Sequence, residues 1–445
     1  MRKKNIVTLV IVLLLILVGY LLTSFAFPKN INRYPALVLL FLLDYYVWGL
    51  FKKKVFTYSR LIKLLTAFVY WLPMLFLLVS TIVLVFVPGN QWNPMARSVI
   101  FGSIFSFYIA KFFMAVVLGL TDLVRLIDKL NKLYLNRKKP VEDTDDAPVT
   151  RRKFLENIAL LTGGLVVSSM FMGMFKWVHD FTTKRLSISI PGLPDAFSNY
   201  RIIQISDLHL GTWSHTDPME KAVAEINNMN ADLIVFTGDL VNYTTDEAYR
   251  FKEILTTLKA PDGVLAILGN HDYGDYVNWP DAGEKQKNME DLYQFYHQIG
   301  WKLLRNDHVI ISKGMDKIAV IGVENWSQNT RFPRLGSIIK AQKGIGQVST
   351  KILLSHDPSH WDSVVLKEHQ DIQLTLSGHT HGFQFGIEIP GLKWSPAQYM
   401  YKQWAGLYEN ESTQQKLYVN RGLGSIGYPG RIGILPEITI FELKS

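Results

Sequence analysis

Five long apolar segments lie in the first 180 residues, and they restrict the possible folds more than any other feature of the chain. The segments are Ile6–Phe25, Ala36–Phe51, Leu64–Val87, Val99–Leu120 and Ile158–Val178. Most of them approach or exceed the roughly 20 residues that cross the hydrocarbon core of a bilayer, and the second is the shortest. Buried helices of soluble proteins rarely run so long without a charge. We therefore predict an all-α transmembrane domain of about five helices.

The distribution of Lys and Arg predicts how these helices are oriented. The basic clusters are Arg2–Lys4, Lys52–Lys54 with Arg60, and Arg125–Lys153. The loops at residues 26–33 and 88–97 carry fewer basic residues. Because basic loops stay in the cytoplasm, five spans place everything after about residue 179 outside it. If the fifth segment, which contains two adjacent glycines, does not insert, the rest of the chain is cytoplasmic instead.

The sequence "TRRKFL" at residues 150–155 admits two interpretations. It resembles the twin-arginine export signal, in which paired arginines precede an apolar stretch. It is equally typical of the ordinary basic flank at the cytoplasmic end of a helix. If the signal is used, the domain that follows crosses the membrane already folded. No small-residue cleavage site follows, so we expect the anchor to stay attached.

Composition excludes several classes of function. The chain has no cysteine, which excludes disulfides, zinc–thiolate sites and thiol nucleophiles. Its net charge of +9 is typical of proteins that bind nucleic acid or an anionic membrane surface. The basic residues flank the apolar segments and form no single stripe in the C-terminal part. The membrane is therefore the favoured partner, and we expect no nucleic acid partner.

Two ionisable residues, Asp44 and Lys111, lie inside predicted spans. Charges in hydrocarbon are costly, so we predict that these two residues pair with each other. The alternative is a transporter or sensor. In that case the membrane part is primary, and the outer domain only binds a ligand at a vestigial site.

The chain changes character at Arg185, where short β-rich runs broken by Gly, Asn and Asp begin. We predict strands at 186–190, 202–205, 233–236, 264–268, 318–323, 352–354, 372–376, 417–419 and 438–441, and helices at 219–229, 248–258 and 288–299. Many strands with intervening helices favour layered sheets covered by helices. The predicted domains are a four-helix transmembrane domain (1–121), a basic cytoplasmic linker with an interfacial helix (122–153), a fifth transmembrane helix (154–184) and an α/β domain (185–445).

Polar side chains with metal-binding chemistry follow five of the predicted strands. They are Asp207 and His209 in "SDLHLG", Asp239 in "TGDLVN", Asn270, His271 and Asp272 in "LGNHDY", His356 in "LLSHDP", and His379 and His381 in "LSGHTHG". Loops at strand ends carry the chemistry in such folds, so we expect these side chains to meet. Oxygen and imidazole donors without sulfur suit Mn, Fe, Zn or Co. Each motif alone is weak, but their succession predicts a metal site.

The spacing of these residues indicates how the ligands meet. Asp207 and His209 are two residues apart, so they share a face wherever the backbone is extended. A carboxylate such as Asp239 offers two oxygens and can bridge two metal ions. Glycines beside the ligands permit the sharp turns that bring the backbone close to the centre. These glycines are Gly238, Gly269, Gly378 and Gly382.

The five motifs together resemble the calcineurin-like metallophosphoesterase superfamily over roughly residues 186–443. The closing sequence "NRGLGSIGYPGRIGILPEI" at 420–438 is similar to the membrane-anchored bacterial branch, in which a Gly-rich loop and an Arg precede "PE" and the last strand. The resemblance implies a four-layer α/β/β/α sandwich with a site for two divalent metal ions, Mn, Fe or Zn. It does not extend to the first four spans.

The resemblance also implies a role for each residue. The implied ligands are Asp207, His209, Asp239 and His381 for the first metal, and Asp239, Asn270, His356 and His379 for the second. His271 is the implied catalytic residue beside the substrate phosphate, with Asp272 as the carboxylate that orients it. The implied reaction is attack on phosphorus by a hydroxide that bridges the two metals. Candidate substrate-binding residues are Tyr273, Arg421 and Arg431.

The expected substrate is a phosphodiester or a phosphomonoester. Because the domain adjoins a bilayer, we expect a lipid-linked or cell-envelope substrate and contact with membrane lipid. Some members of the superfamily hydrolyse the pyrophosphate bond of a UDP-linked acylated sugar of lipid A synthesis. That substrate is cytoplasmic, so it ranks second under the predicted topology. The predicted location is the bacterial cytoplasmic membrane, with a multi-pass anchor and an extracytoplasmic catalytic domain.

Overall fold

The described N-terminal part of the chain is helical, as its apolar segments predict. After a 3-10 turn at Pro28–Arg33, the helices are α1 (Tyr34–Val55), α2 (Arg60–Phe86), α3 (Pro94–Tyr134) and α4 (Arg151–Phe175). The structure is a computed structural model that describes residues 28–87, 92–134 and 151–445, together with 14, 16–21 and 23–25. The described residues form two compact units, one within residues 1–92 and 99–171, the other within 93–98 and 172–445.

Four helices in the described part of the chain are long and apolar enough to cross a membrane. They are Ile31–Lys52, Arg60–Phe86, Met95–Asn131 and Phe154–His179. They coincide with the second to fifth predicted segments and confirm those helices. The first predicted segment, Ile6–Phe25, lies largely outside the described residues. Large apolar side chains such as Leu39, Leu61 and Phe86 remain exposed on the helices, which suits contact with lipid tails.

Helix α3 is longer than the apolar segment that predicts it. It continues without a break to Tyr134, so the predicted interfacial segment is the last part of this helix and not a separate element. Residues 135–150 of the predicted linker lie outside the described residues.

Asp44 and Lys111 pair within the helical unit, as predicted. The Lys111 ammonium contacts Asp44 Oδ1 and also donates to the carbonyl oxygen of Tyr70 over 3.2 Å. The Tyr108 hydroxyl donates to Asp44 Oδ2 over 2.8 Å, and Asp44 is fully buried. Both charges are therefore satisfied inside the unit, as buried charges require.

The second unit is built on β-sheets. Its strands are β1 (Thr182–Ser189), β2 (Arg201–Ile205), β3 (Leu233–Phe236), β4 (Val264–Ala266), β5 (Lys302–Leu303), β6 (Asp307–Lys313), β7 (Asp316–Gly322), β8 (Thr350–Leu354), β9 (Leu374–Ser377), β10 (Ile387–Ile389), β11 (Leu392–Trp394), β12 (Gly406–Glu409), β13 (Lys416–Val419) and β14 (Glu437–Lys444). One six-stranded sheet has the order β1-β14-β2-β3-β4-β5, and the other has the order β12-β13-β9-β8-β7-β6. Strands β10 and β11 form a separate antiparallel hairpin.

Both six-stranded sheets are mixed, with parallel strands at their centres. Strands β2, β3 and β4 run parallel in the first sheet, and β7, β8, β9 and β13 run parallel in the second. Antiparallel pairs join β14 to β2, β6 to β7 and β12 to β13. Parallel neighbours end at the same edge of a sheet, so the loops that follow them lie together.

The sheets face each other, and helices cover their outer faces. The helices of this unit are α5 (Asp217–Asn228), α6 (Asp246–Tyr249), α7 (Lys252–Thr256), α8 (Ala282–Gln298), α9 (Ile338–Ala341) and α10 (Leu366–Glu368). Val235 of the first sheet and Ile352 of the second share the buried cluster between the sheets. The next side chains along these strands differ: Ile234 packs under α5 and α8, and Leu353 packs under α9. This alternation confirms the predicted four-layer α/β/β/α sandwich.

The predicted elements depart from the observed ones where segments are short. The helix predicted at 248–258 is two short helices, α6 and α7, with a turn between them. Strands β5, β6, β10, β11 and β12 are absent from the prediction. Most of these are short or exposed strands, and their extended form depends on pairing with a neighbour that periodicity does not reveal.

Candidate metal centre

The predicted metal ligands lie in loops that leave central strands of both sheets. Asp207 and His209 follow β2, Asp239 follows β3, and Asn270 follows β4. In the second sheet, His356 follows β8, and His379 and His381 follow β9. Because the sheets pack face to face, the loops at their carboxyl ends converge on one place.

Two groups of carboxylate and imidazole side chains meet there. Asp207, His209 and His381 form one group, and Asp239, His356 and His379 form the other. Within each group the candidate ligand atoms lie within 4.8 Å of one another. The grouping brings together the carboxylates and imidazoles that the resemblance assigns to each metal, with Asp239 in the second group only.

Asp239 lies between the two groups. Its Oδ2 is 3.5 Å from His209 Nε2 and 3.1 Å from His356 Nε2. Its Oδ1 accepts a hydrogen bond of 2.8 Å from the backbone N–H of His271. One carboxylate oxygen is therefore within reach of an imidazole from each group, which is the position that a bridging ligand needs.

The donor atoms of the centre suit divalent cations. His209 Nε2 and His381 Nε2 lie 3.0 Å apart, and His379 Nδ1 lies 3.3 Å from His356 Nε2. Asn270 Oδ1 is buried and has no hydrogen-bond partner among the described residues, while its Nδ2 donates to the Tyr276 hydroxyl over 2.8 Å. An unpartnered buried acceptor beside converging imidazoles fits a bound cation.

The backbone at the centre adopts an unusual conformation. The left-handed φ values are 51° at Asp207, 44° at His209, 60° at Asp239, 73° at His379 and 50° at His381. Left-handed backbone is uncommon for residues other than glycine, and such outliers concentrate at functional sites. Gly378 has no room for a side chain, because a Cβ there would clash with Ser206 Oγ and Asp207 Oδ2.

Burial and charge set the protonation of the ligands. Burial favours a higher pKa for Asp239, but His356 and His271 outweigh it and hold the pKa of this carboxyl well below its usual value. Burial holds the pKa of the His209 and His379 imidazoles below the usual histidine value. The carboxylate is thus ionised and these imidazoles are neutral, which are the states that bind metal.

His356 differs from these two imidazoles. Burial works against its charged form, but Asp239 close by raises the pKa of His356 to about 10. Its Nδ1–H donates to the carbonyl oxygen of Thr237 over 2.7 Å, so Nε2 is the atom directed to Asp239. Binding of a cation through Nε2 therefore requires the release of a proton.

His271 is held in one orientation beside the two groups. Its Nδ1–H donates to the carbonyl oxygen of Asn242 over 2.9 Å, because a carbonyl can only accept. The Tyr276 ring stacks on its imidazole with the ring centroids 4.3 Å apart. The exchangeable proton of this imidazole is therefore the one on Nε2.

Comparison with known proteins agrees with this geometry. A family model for the transmembrane domain of probable calcineurin-like phosphoesterases matches residues 27–177, and the calcineurin-like phosphoesterase model matches residues 200–383. An uncharacterized metallophosphoesterase of Bacillus subtilis (strain 168), YkuE, is 30% identical over 67% of this chain and 98% of its own length. The chain belongs to the calcineurin-like metallophosphoesterase family. With four candidate spans and a matched transmembrane domain, it is a membrane protein.

The metallophosphoesterase is similar to proteins of animals as well as bacteria. A Danio rerio transmembrane protein with metallophosphoesterase domain is 28% identical over 76% of this chain and 71% of that protein. The UDP-2,3-diacylglucosamine pyrophosphatase LpxG of Chlamydia muridarum is 26% identical over 52% of this chain and 81% of that protein. The solved NAD nucleotidase of Haemophilus influenzae matches with a TM-score of 0.33 and 17% identity over 52% of this chain, which spans 45% of that nucleotidase.

Asp272 of the metallophosphoesterase does not orient His271, which corrects the role that the resemblance implies. Its buried carboxylate instead accepts from the backbone N–H groups of Gly269, Asp239, Leu240 and Val241. Burial and the nearby charge of Asp239 raise the pKa of Asp272 to about 7. Asp272 therefore ties together the loops that carry Asp239 and Asn270.

The three predicted substrate-binding residues are buried and have partners within the protein. Tyr273 accepts from the backbone N–H of Asn325 over 3.0 Å. Arg421 donates to Glu437 over 2.9 Å and to Glu388 over 2.7 Å. Arg431 is fully buried and donates to the carbonyl oxygens of residues 421, 422 and 424. This geometry favours a supporting role for all three over contact with the substrate.

Two residues beside the ligands are absent from the prediction. The Tyr401 hydroxyl lies 3.0 Å from His379 Nε2, and Asp357 Oδ2 lies 3.5 Å from the same nitrogen. Both fix the His379 ring so that its Nδ1 faces His356. Asp357 directly follows His356 in "SHDP", which is a usable signal. Tyr401 is 22 residues from His379 and gives none.

Proposed function

We propose that this metallophosphoesterase hydrolyses a lipid-linked phosphodiester at a centre of two divalent metal ions. The observation that carries the proposal is the position of Asp239 Oδ2 between the imidazoles of His209 and His356. One oxygen within reach of both groups suits two ions that share a ligand. The family supports phosphoester hydrolysis, and the membrane domain supports a substrate anchored in lipid.

The proposed ligands are Asp207, His209, Asp239 and His381 for the first ion, and Asp239, Asn270, His356 and His379 for the second. Oxygen and imidazole donors suit Mn, Fe or Zn. When bound, the two cations supply an activated water as the nucleophile and withdraw negative charge from the phosphate. No side chain has to attack phosphorus, so we expect no phosphorylated enzyme.

His271 is the proposed general acid. Its Nδ1–H is held by the Asn242 carbonyl, so the proton that it transfers is on Nε2. An imidazolium in this orientation donates to the departing alkoxide or stabilises its charge. Asn242 thus takes the orienting role that the resemblance gave to Asp272.

The proposed topology follows the distribution of basic residues. We propose transmembrane helices in 1–121, a cytoplasmic linker in 122–153, a further membrane helix in 154–184 and the metallophosphoesterase domain in 185–445. The catalytic domain is then extracytoplasmic, on the bacterial cytoplasmic membrane. Protease treatment of spheroplasts, from which any outer barrier has been removed, tests this: cleavage within 185–445 supports the topology, and protection of that domain until the cells are lysed contradicts it.

The test of the activity uses the full chain purified in detergent and stripped of metal. Hydrolysis of bis(p-nitrophenyl) phosphate and of p-nitrophenyl phosphate is followed while Mn, Zn or Fe is added back. We expect metal-restored hydrolysis that the Asp239→Ala variant lacks, and the ratio of the two rates gives the bond preference. If no metal restores turnover on either compound, the function is wrong, and the binding or sensor alternative with a vestigial site replaces it.

A second candidate function is hydrolysis of a pyrophosphate bond in a UDP-linked acylated sugar. The similarity to the pyrophosphatase LpxG favours it. It requires a catalytic domain on the cytoplasmic face, so the protease experiment separates the two candidates. Release of UMP from such a sugar by the full chain, faster than hydrolysis of the chromogenic diester, would favour the second candidate.

A further inference from the structure

Residues 383–407 present exposed apolar side chains beside the metal centre. Eight large apolar residues in this segment are between 40% and 76% exposed. We call them the apolar rim, and they are Phe383, Phe385, Ile387, Ile389, Leu392, Tyr399, Met400 and Leu407. Exposed apolar residues are normal when scattered singly, but eight within one short segment indicate a surface that binds something.

The hairpin of β10 and β11 shows that this exposure is built into the fold. Ile389 pairs with Leu392, and Glu388 pairs with Lys393, so the apolar pair and the charged pair lie on opposite faces. Glu388 accepts from Arg421 over 2.7 Å, and Lys393 donates to the carbonyl oxygen of Ala405 over 2.6 Å. The charged pair therefore ties the hairpin to the domain, while Ile389 and Leu392 on the other face have no such attachment and stay exposed.

The turn of the hairpin extends the apolar face. Ile389, Pro390, Gly391 and Leu392 form the turn, with Gly391 at a left-handed φ of 80°. Proline followed by a glycine of positive φ is typical of a type II turn, which needs no partner to hold its shape. Ile389 and Leu392 are therefore presented together at the tip of the hairpin.

Two parts of the rim adjoin the metal centre. Phe383 follows His381 by two residues. Tyr401, which follows Tyr399 and Met400, has its hydroxyl 3.0 Å from His379 Nε2. A molecule whose apolar part rests on the rim therefore has its polar part next to the metal ligands.

The occupant that the structure favours is a lipid layer. Lys184 Nζ lies 3.8 Å from Glu388 Oε1 of the hairpin, and Lys184 follows His179, the end of the last candidate span, by five residues. Five extended residues reach at most about 18 Å, so the hairpin is tethered close to a membrane-crossing segment. The Lys402 side chain is 81% exposed next to Tyr399 and Met400, and aromatic residues beside a basic one are typical of the lipid interface.

We propose that the apolar rim enters the interface of the bilayer and holds the acyl chains of the substrate while its phosphate lies at the metal centre. The inference rests on the proposed function, since it specifies the lipid-linked substrate of the same site. It assigns the substrate class as a phosphodiester carrying at least one long acyl or alkyl chain, taken directly from the membrane.

The first experiment determines whether the rim contacts lipid. Because the chain has no cysteine, a single introduced cysteine can be labelled specifically. The full chain carrying Ile389→Cys is labelled with an environment-sensitive fluorophore in vesicles of phosphatidylcholine and phosphatidylglycerol. Met315→Cys is the matched control, because Met315 is 95% exposed in the turn between β6 and β7. We expect blue-shifted emission and quenching by doxyl-labelled lipid at residue 389 and neither at residue 315.

Equal emission at the two positions would overturn the inference. Emission at residue 389 that depends on protein density but not on doxyl lipid would also overturn it, because a second copy of the chain would then cover the rim. Neither result depends on catalysis, so the location of the rim is decided even if the enzyme is inactive.

The second experiment tests whether the rim holds the substrate. Full-length protein in nanodiscs is assayed with p-nitrophenyl hexadecyl phosphate and p-nitrophenyl ethyl phosphate, which differ only in chain length. The variant Ile389→Ser with Leu392→Ser is compared with wild type and with Met315→Ser. Losing these two aliphatic contacts is expected to reduce kcat/KM for the long-chain ester by roughly tenfold or more and to leave that for the short-chain ester unchanged.

The outcomes separate this inference from the function on which it rests. If wild type hydrolyses both esters equally, or if the rim variant slows both equally, the rim does not select lipid and the inference fails while the phosphodiesterase stands. If wild type hydrolyses neither ester with Mn, Zn or Fe present, the proposed function fails, and with it the assignment of a substrate to the rim.

Discussion

The metallophosphoesterase buries polar groups in its helical unit and at its candidate metal centre. The two regions differ in whether those groups have hydrogen-bond or ionic partners within the protein. In the helical unit, both oxygens of Asp44 and the ammonium of Lys111 have partners within the protein. At the metal centre, Asn270 Oδ1 has no partner among the described residues, and imidazole nitrogens of His209 and His381 face each other at 3.0 Å. The Asp44–Lys111 pair is complete as it stands, whereas the open set of acceptors at the candidate metal centre suits a cation.

The largest effect on activity is expected at Asp239, the one residue on which both groups of candidate metal ligands depend. Asp239→Asn keeps the shape but removes the charge that lies between the two groups. We expect loss of both metals and a fall in kcat of about a thousandfold, since both the nucleophile and the charge on phosphate depend on them. Elemental analysis and the diester assay measure the two effects. Glu411→Gln, in an exposed turn, is the matched control, and full metal content in Asp239→Asn would contradict the bridging role.

The next effect separates proton transfer from metal binding. His271→Ala should keep both metals and lower kcat by about a hundredfold or more, the usual contribution of a general acid. The loss should be larger for an alkyl leaving group than for p-nitrophenol, because the poorer leaving group needs the proton more. His297→Ala, on an exposed part of α8, controls for the loss of an imidazole. Equal losses with both leaving groups would show that His271 is not the acid.

Changes to the Asp44–Lys111 pair should lower the stability of the protein and leave its catalytic rate unchanged. Lys111→Met leaves the Asp44 carboxylate buried without its cation, and we expect a loss of about 3 kcal/mol in the free energy of unfolding. Adding Asp44→Asn should recover most of that loss. Thermal unfolding of the full chain in detergent measures both variants. A double variant as unstable as the single one, or a lower kcat per folded molecule, would indicate a role beyond structure.

The smallest effect is expected for residues that contact the candidate metal ligands without binding metal themselves. Asp357→Asn removes a charge 3.5 Å from His379 Nε2 while leaving every ligand in place. Outer partners of this kind change metal affinity by about tenfold, so we expect one of the two metals to be held that much more weakly. Titration of the stripped protein with Zn measures it. Asp371→Asn, on the surface, is the control, and identical affinities in the two variants would remove Asp357 from the site.

The sequence predicted the fold and the convergence of the candidate ligand side chains for the same reason. Each candidate ligand follows a short apolar run typical of a buried strand, and the central strands of both sheets are parallel, so their ends converge. The pairing of Asp44 with Lys111 was equally accessible, because hydrocarbon leaves few alternatives for a charge. Features were predictable where a local sequence pattern is compatible with only one arrangement.

Roles that depend on three-dimensional contacts were not predictable. Asp272 stands next to His271 in the chain, yet the turn directs its carboxylate to four backbone N–H groups instead. The guanidinium of Arg421 could bind a phosphate, but it donates instead to the carboxylate of Glu437. Tyr401 reaches His379 only because the loop between them folds back. Adjacency in sequence and side-chain chemistry do not determine these contacts.

The left-handed backbone at the ligands has a consequence for how the protein depends on its supply of metal. Such conformations cost about 1 kcal/mol each, and five of them lie at candidate metal ligands, where a bound cation would help to hold the loops in place. The sheets beneath are held by their own cores and have no such dependence. Scarcity of metal should therefore first increase amide hydrogen exchange in these loops, well before the domain as a whole unfolds.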